Sequence, residues 1–162
     1  HVADPDGTLA SRRHEKANGT LVQYQTTTYV RSGNGPTTPL VSLPVRRYQY
    51  ECNGQPTCKA SSRGWTYNSY GAVTAEIEYG DDGIAGDERT TFHTQVVNPT
   101  AYLTQLDATQ VTRAGAGVAT GTMLAETRLA YDGAVDHTTA PVRGLVTSRS
   151  RWRGGTPSKS TS

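Results

Sequence analysis

Apolar and polar residues alternate along this chain in short runs, and each run is closed by Asn, Asp or Gly. That pattern leaves few folds available, because a period of two suits a half-covered β-strand and no helix. Residues 65–89, WTYNSYGAVTAEIEYGDDGIAGDER, show it best. One strand ends at Tyr67, and Asn68-Ser69-Tyr70-Gly71 supplies turn chemistry: Asn bonds nearby backbone and Gly accepts a positive φ. The return strand puts Val73, Ala75, Ile77 and Tyr79 on one face and Thr74, Glu76 and Glu78 on the other. Gly80 to Gly83 and Gly86-Asp87 then form a long acidic turn.

The same reading extends in both directions. Asp4-Pro5-Asp6-Gly7 and Asn18-Gly19 are turn signals, and 21–30 reads as a strand with Val22, Tyr24 and Val30 on one face. Two glycines and three prolines predict a loop over 31–44. Strands follow over 45–52, with Tyr48, Tyr50 and Cys52 aligned, and over 89–97, with Phe92, Thr94 and Val96 aligned. Residues 101–106 and 109–113 are short strands around Asp107, and 114–121 is a glycine-rich loop. Residues 123–131 suit a helix by propensity, but alternation and the following Asp132-Gly133 turn favour a strand. An inserted loop over 136–141 precedes a last strand over 144–152, and residues 153–162 are a frayed polar end. The expected fold class is all-β, built of consecutive antiparallel strands and hairpins.

Composition argues against a thick core. Hydrophobic residues make up 34% of the chain, with one Phe and nine Tyr, and the 17 glycines bury nothing. The formal charge of +2 does not imply disorder, and its basic residues are dispersed except at Arg149–Arg153, too small a stripe for a nucleic-acid footprint. No run approaches the ~18 apolar residues of a membrane-spanning helix. A chain opening His-Val-Ala reads as processed or cut from a longer polypeptide.

Several residues invite chemistry, each beside a plainer reading. Cys52 and Cys58 bracket a Gly-Pro loop and are either a small disulfide of an oxidising compartment or two separate thiols. Asp81, Asp82, Asp87 and Glu88 are calcium candidates, against a solvated turn in which Asp87 bonds nearby amides. Paired carboxylates for glycoside hydrolysis would fall here too, but nothing fixes their separation. His1 with His14, His93 or His137 would suit copper, though no two histidines have ligand spacing, and His93 reads as a solvated or shell-lining residue. Tyr24, Tyr29, Tyr48, Tyr50, Tyr67, Tyr70, Trp65 and Trp152 would make a sugar-stacking face or pack against neighbouring strands.

Three units line up: Tyr67-Asn68 through Gly71 to Val73-Thr74 and Tyr131-Asp132-Gly133 with Gly144-Leu145-Val146-Thr147 share one grammar, and Asp6-Gly7-Thr8-Leu9 has the Asp-Gly turn with Pro5 where Tyr would stand. With 80–91 (GDDGIAGDERTT), 98–103 (NPTAYL) and 124–128 (LAETR), they resemble the RHS/YD-repeat family, in particular large bacterial RHS proteins related to toxin-complex B subunits and SpvB-type secreted toxins. The likeness covers most of 43–152. It departs from the family at Asn68, which stands for Asp, and in the ten residues between Gly133 and Gly144. The resemblance implies a non-catalytic, secreted or cell-surface segment of a hollow β-shell that encloses or delivers an effector. Its partners would be neighbouring repeats of the same parent chain and that effector, with no cofactor. Asp6, Gly7, Asn68, Gly71, Asp132, Gly133 and Gly144 would be its structural turn residues. An extracellular carbohydrate- or protein-binding module, and a metal-dependent enzyme using His1, are the alternatives.

Overall fold

The computed structural model describes residues 2–3, 9–32, 41–81, 83–152 and 158–160. Eleven strands follow in chain order: β1 (Val2–Ala3), β2 (Leu9–Glu15), β3 (Leu21–Ser32), β4 (Val41–Glu51), β5 (Lys59–Tyr67), β6 (Val73–Asp81), β7 (Arg89–Asn98), β8 (Leu103–Ala114), β9 (Met123–Tyr131), β10 (Val146–Arg151) and β11 (Ser158–Ser160). A single 3-10 turn, Pro99–Ala101, lies between β7 and β8, and no α-helix occurs among the described residues. Strand order in the sheet is the order of the sequence, so the fold is all-β, a run of consecutive antiparallel hairpins that does not close. Local alternation and local turns suffice to build such a topology.

The strands are longer and more numerous than alternation alone suggests. β2 carries Arg12-Arg13-His14 and has no apolar rhythm, yet it pairs with β3 from Leu9↔Thr28 to Glu15↔Leu21. The expected loop over 31–44 is shorter: β3 runs to Ser32 and β4 begins at Val41. Pro44 fits inside β4 because it sits opposite Tyr29, where the register slips and the ladder is already broken. Asp107 does not divide two short strands but lies inside the twelve-residue β8, at a slip in the β7–β8 register. The final strand begins at Val146, not Gly144. Within the expected frayed end, Ser158–Ser160 pairs with Arg149–Arg151. The Asp6-Gly7 turn, the candidate Asp82 and His1 lie outside the described residues.

The chain divides into two compact units. The first comprises residues 1–65 and 78–88, the second 66–77 and 89–162. In the first, the only described hydrophobic side chain that is buried is Cys52. Its buried side chains on β3 and β5 are instead Thr27 and Ser62, and Val30, placed by alternation on one face with Val22 and Tyr24, is 46% exposed. Order comes from polar and aromatic contacts. Tyr24 stacks on Tyr50 across β3 and β4 with ring centroids 4.0 Å apart, and Tyr48 continues the row at 6.2 Å. Arg46 extends it, its guanidinium 3.5 Å from the Tyr79 ring centre and hydrogen-bonded to Ser62 at 2.9 Å. Such cation–π contacts stabilise by roughly 0.5–2 kcal/mol. Gly64 makes this possible, since a Cβ there would come within 3.2 Å of the Tyr79 ring.

The second unit has the apolar core. Val96, Ala108 and Tyr131 are buried together, with Leu106 and Leu129 packed against them. Phe92, Thr94 and Val96 share one face of β7, as alternation predicts, and Val96 is its buried member. The long connection between β9 and β10 lies against the same region. Gly144 approaches Leu103 and Leu106, and Asn98 Nδ2 donates to the Pro141 carbonyl at 2.8 Å.

Candidate functional site

Three clusters concentrate the polar chemistry. The first sits where the β7–β8 register slips, between Thr94 and Gln95. Such a slip bends the ladder and frees backbone groups, and side chains must then satisfy them. Asp107 is the hub. Its carboxylate accepts from His93 Nδ1 at 2.9 Å, Gln110 Nε2 at 2.8 Å and Gln95 Nε2 at 3.2 Å. Gln95 also donates to the Val73 carbonyl at 2.6 Å, and the Tyr131 hydroxyl donates to the Asp107 carbonyl at 2.8 Å. Burial by itself raises the Asp107 carboxyl, yet the hydrogen bonds from His93, Gln110 and Gln95 outweigh it and hold the group below its ordinary value. Burial, with the Asp107 charge, pushes the Tyr131 phenol up.

A carboxylate that orients an imidazole is half of an acid–base pair. Here the other half is missing. A carboxylate only accepts, so His93 donates through Nδ1, and its Nε2 is buried without a hydrogen-bond partner. No hydroxyl or thiol stands within bonding reach of that atom among the described residues, and it does not open to solvent. The cluster therefore ties β7, β8 and β9 together across an irregular ladder. Of the two expectations for His93, solvated or shell-lining, the solvated one is corrected: its side chain is only 14% exposed, because Asp107 and the strand irregularity hold it inward.

The second cluster is the turn after β9. At Tyr131-Asp132-Gly133 both central residues have positive φ, 55° and 80°, and the Ala134 amide donates to the Tyr131 carbonyl at 2.9 Å. Positive φ at both central positions is the backbone that a type I′ turn requires. The Asp132 carboxylate then gathers the amides of Val142, Arg143 and Gly144 on one oxygen, at 2.7, 2.8 and 3.2 Å, and Leu145 on the other at 3.0 Å. The Arg143 amide above all, with those of Leu145, Val142 and Gly144, holds this carboxyl down to about 2 against a smaller opposing effect of desolvation. Asn68 does a smaller version of the same work, its side-chain oxygen accepting from the amides of Tyr70 at 2.9 Å and Ala72 at 3.0 Å. Gly71 takes φ +76°, the left-handed conformation its turn requires.

The third cluster is the acidic turn. Asp87 accepts from the Asp81 amide at 2.9 Å and lies directly over Gly80, where a Cβ would collide with it. Glu88 accepts from the Gly86 amide at 2.9 Å, and Asp81 pairs with Lys59 at 2.5 Å, raising the lysine's pKa. These acids are thus engaged by backbone and by a lysine. Among the described residues no three His, Cys, Asp or Glu side chains converge to hold a metal ion. Of the histidines named for copper, His93 has its Asp107 partner and His137 lies 3.3 Å from Asp136.

Cys52 and Cys58 form a disulfide with Cα atoms 4.0 Å apart. It closes a loop whose Cys52, Asn53 and Gly54 amides donate back to Val22 and Leu21 carbonyls. Sequence reasoning misses the role of Asp107 and takes Asp132 for a turn residue alone. A carboxylate within an otherwise unbroken strand run is the available signal for the first. The ten-residue spacing before Gly144 is the signal for the second, since a long insertion needs an anchor. No family model matches this chain, and no curated protein or solved structure does so either.

Proposed function

We propose that this chain is a non-catalytic wall segment of a repeat-built β-shell of the RHS/YD type, secreted or displayed on a bacterial surface, completed by neighbouring repeats of its parent polypeptide. One observation carries the reading: burial is incomplete. Seven hydrophobic side chains are buried among the described residues, while Tyr102, Val135 and Val142 are 91%, 87% and 71% exposed. Units that cover only part of their apolar surface gain stability by stacking on the next unit. The turn grammar supports the same reading, because Asn68 and Asp132 stand at equivalent places and clamp their hairpins in the same manner. The His93–Asp107 arrangement offers no accessible acid or base, which favours a scaffold over an enzyme.

Thermal unfolding and sedimentation of the isolated chain test this. A wall segment melts at low temperature or self-associates in the micromolar range. A monomer that unfolds cooperatively at high temperature overturns the reading and favours an independent binding module, for which the half-exposed Tyr24–Tyr50–Tyr48 row is the candidate surface.

A further inference from the structure

We propose that Asn18 is an acceptor site for an N-linked glycan, presented at the tip of the β2–β3 hairpin. The sequence holds five asparagines, and only Asn18 is followed two residues on by Ser or Thr with no proline between, in Asn18-Gly19-Thr20. That tripeptide is what an N-oligosaccharyltransferase reads in a chain passing through a secretory compartment. Asn98 is the instructive contrast. Thr100 stands at the right spacing, but Pro99 intervenes, and the Asn98 side chain is occupied by the Ala101 amide and the Pro141 carbonyl.

The turn supplies the geometry. β2 ends at Glu15 and β3 begins at Leu21. Between them the Lys16 amide donates to the Thr20 carbonyl and the Gly19 amide to the Lys16 carbonyl, both at 2.9 Å. Ala17, Asn18 and Gly19 form the tip of that turn, and all three are exposed. Gly19 has φ +79° and nothing within 4 Å of where a Cβ would stand, so the space beside Asn18 is open. Asn18 Oδ1 accepts from the Thr20 amide at 3.1 Å, which joins the asparagine and the threonine in one Asx-turn. Only the carbonyl end of the side-chain amide is used. Nδ2, the atom that would carry the sugar, makes no hydrogen bond among the described residues. In the transfer Nδ2 bonds to the anomeric carbon of a lipid-diphosphate-linked oligosaccharide, the bond from that carbon to the diphosphate oxygen breaks, and Nδ2 gives up one proton. The Cys52–Cys58 disulfide is an independent sign of an oxidising route of export. The inference rests on that disulfide and this turn, not on the wall reading.

The test directs the whole 162-residue chain through the secretory route of an animal cell line and treats the product with peptide-N-glycosidase. Protein retained in the cells is treated in the same way, because transfer precedes export. Before digestion the chain should be heavier by one oligosaccharide. After digestion the sugar should be gone and Asn18 should read as aspartate, since the enzyme releases the glycan by hydrolysing the amide. Asn18→Gln and Thr20→Ala should each run at the unmodified mass, while Thr20→Ser, which keeps the hydroxyl, should keep the glycan. Asn18→Gln alters only an exposed side chain and should melt with the digested parent, which separates a lost acceptor from a lost fold. A chain whose mass the glycosidase leaves unchanged overturns the proposal, as does a glycan that survives Thr20→Ala. Aspartate at position 18 with no sugar ever attached, the product of spontaneous Asn-Gly deamidation, overturns it too. None of these results bears on the wall reading, which unfolding and sedimentation decide.

Discussion

The two units solve one problem by different means. Both are built of antiparallel hairpins with little apolar material. The second collects what it has: Ala72, Ala75, Val96, Ala108, Ala130 and Tyr131 are all buried there, and the Asp132 clamp folds the β9–β10 connection against that region. The first buries only Cys52 among its described hydrophobic side chains, and relies on a disulfide, a tyrosine row and an arginine laid over Tyr79. A unit with too small a core needs staples of this kind. The difference teaches that a shared strand grammar does not fix the source of stability. It fixes the ladder, and each unit then closes its faces with whatever the non-alternating residues provide.

The contrast breaks most sharply at Tyr131. Tyr131→Ala removes a side chain 3% exposed and leaves the Asp107 carbonyl without its donor. A loss of about 3–5 kcal/mol is expected, as for other large aromatic truncations. Denaturant titration with residue-resolved amide exchange should place that loss in residues 89–151. Equal loss of protection over 9–32 would mean that the units are not separately stabilised.

A smaller effect probes the other side. Reducing Cys52–Cys58, or replacing both by Ser, should cost about 2 kcal/mol for a loop this short. Exchange should accelerate first around 21–24 and 50–58, where the disulfide loop's amides bond β3. Unchanged exchange there would show that the tyrosine row alone holds the first unit.

The gentlest measurement concerns Asp132. Its folded carboxyl titrates at about 2, below the ordinary value of 3.8, so its contribution is present above pH 4 and is lost as pH falls through 2. Asp132→Asn should therefore melt lower than the parent above pH 4, and the two curves should converge near pH 2. The group is open to solvent, which keeps the effect small. A difference at pH 2 as large as that above pH 4 would point to lost geometry and not to charge.

Much of the ladder is legible in the amino-acid pattern. The hairpin from Trp65 to Tyr79, the strand over 123–131 and the left-handed Gly71 follow from alternation and turn chemistry, which act between residues close in sequence. β2 is not legible there, because Arg12-Arg13-His14 carries no apolar rhythm and is a strand only by pairing with β3. Neither is Pro44 within β4, which depends on a register slip opposite Tyr29.

By itself, then, the sequence determined the class of the fold, its hairpin order and the positive-φ turn positions at Gly71 and Gly133, since period-two patterning and turn glycines are local physics. Tertiary structure alone decided what each polar residue does. Asp107 gathers His93, Gln95 and Gln110 from two strands, and Asp132 gathers four amides from ten residues on. Arg46 meets Tyr79 from thirty-three positions away in the chain. Such contacts are set by register and by where insertions fold back. A one-residue slip would turn the strand side chains among these to the other face.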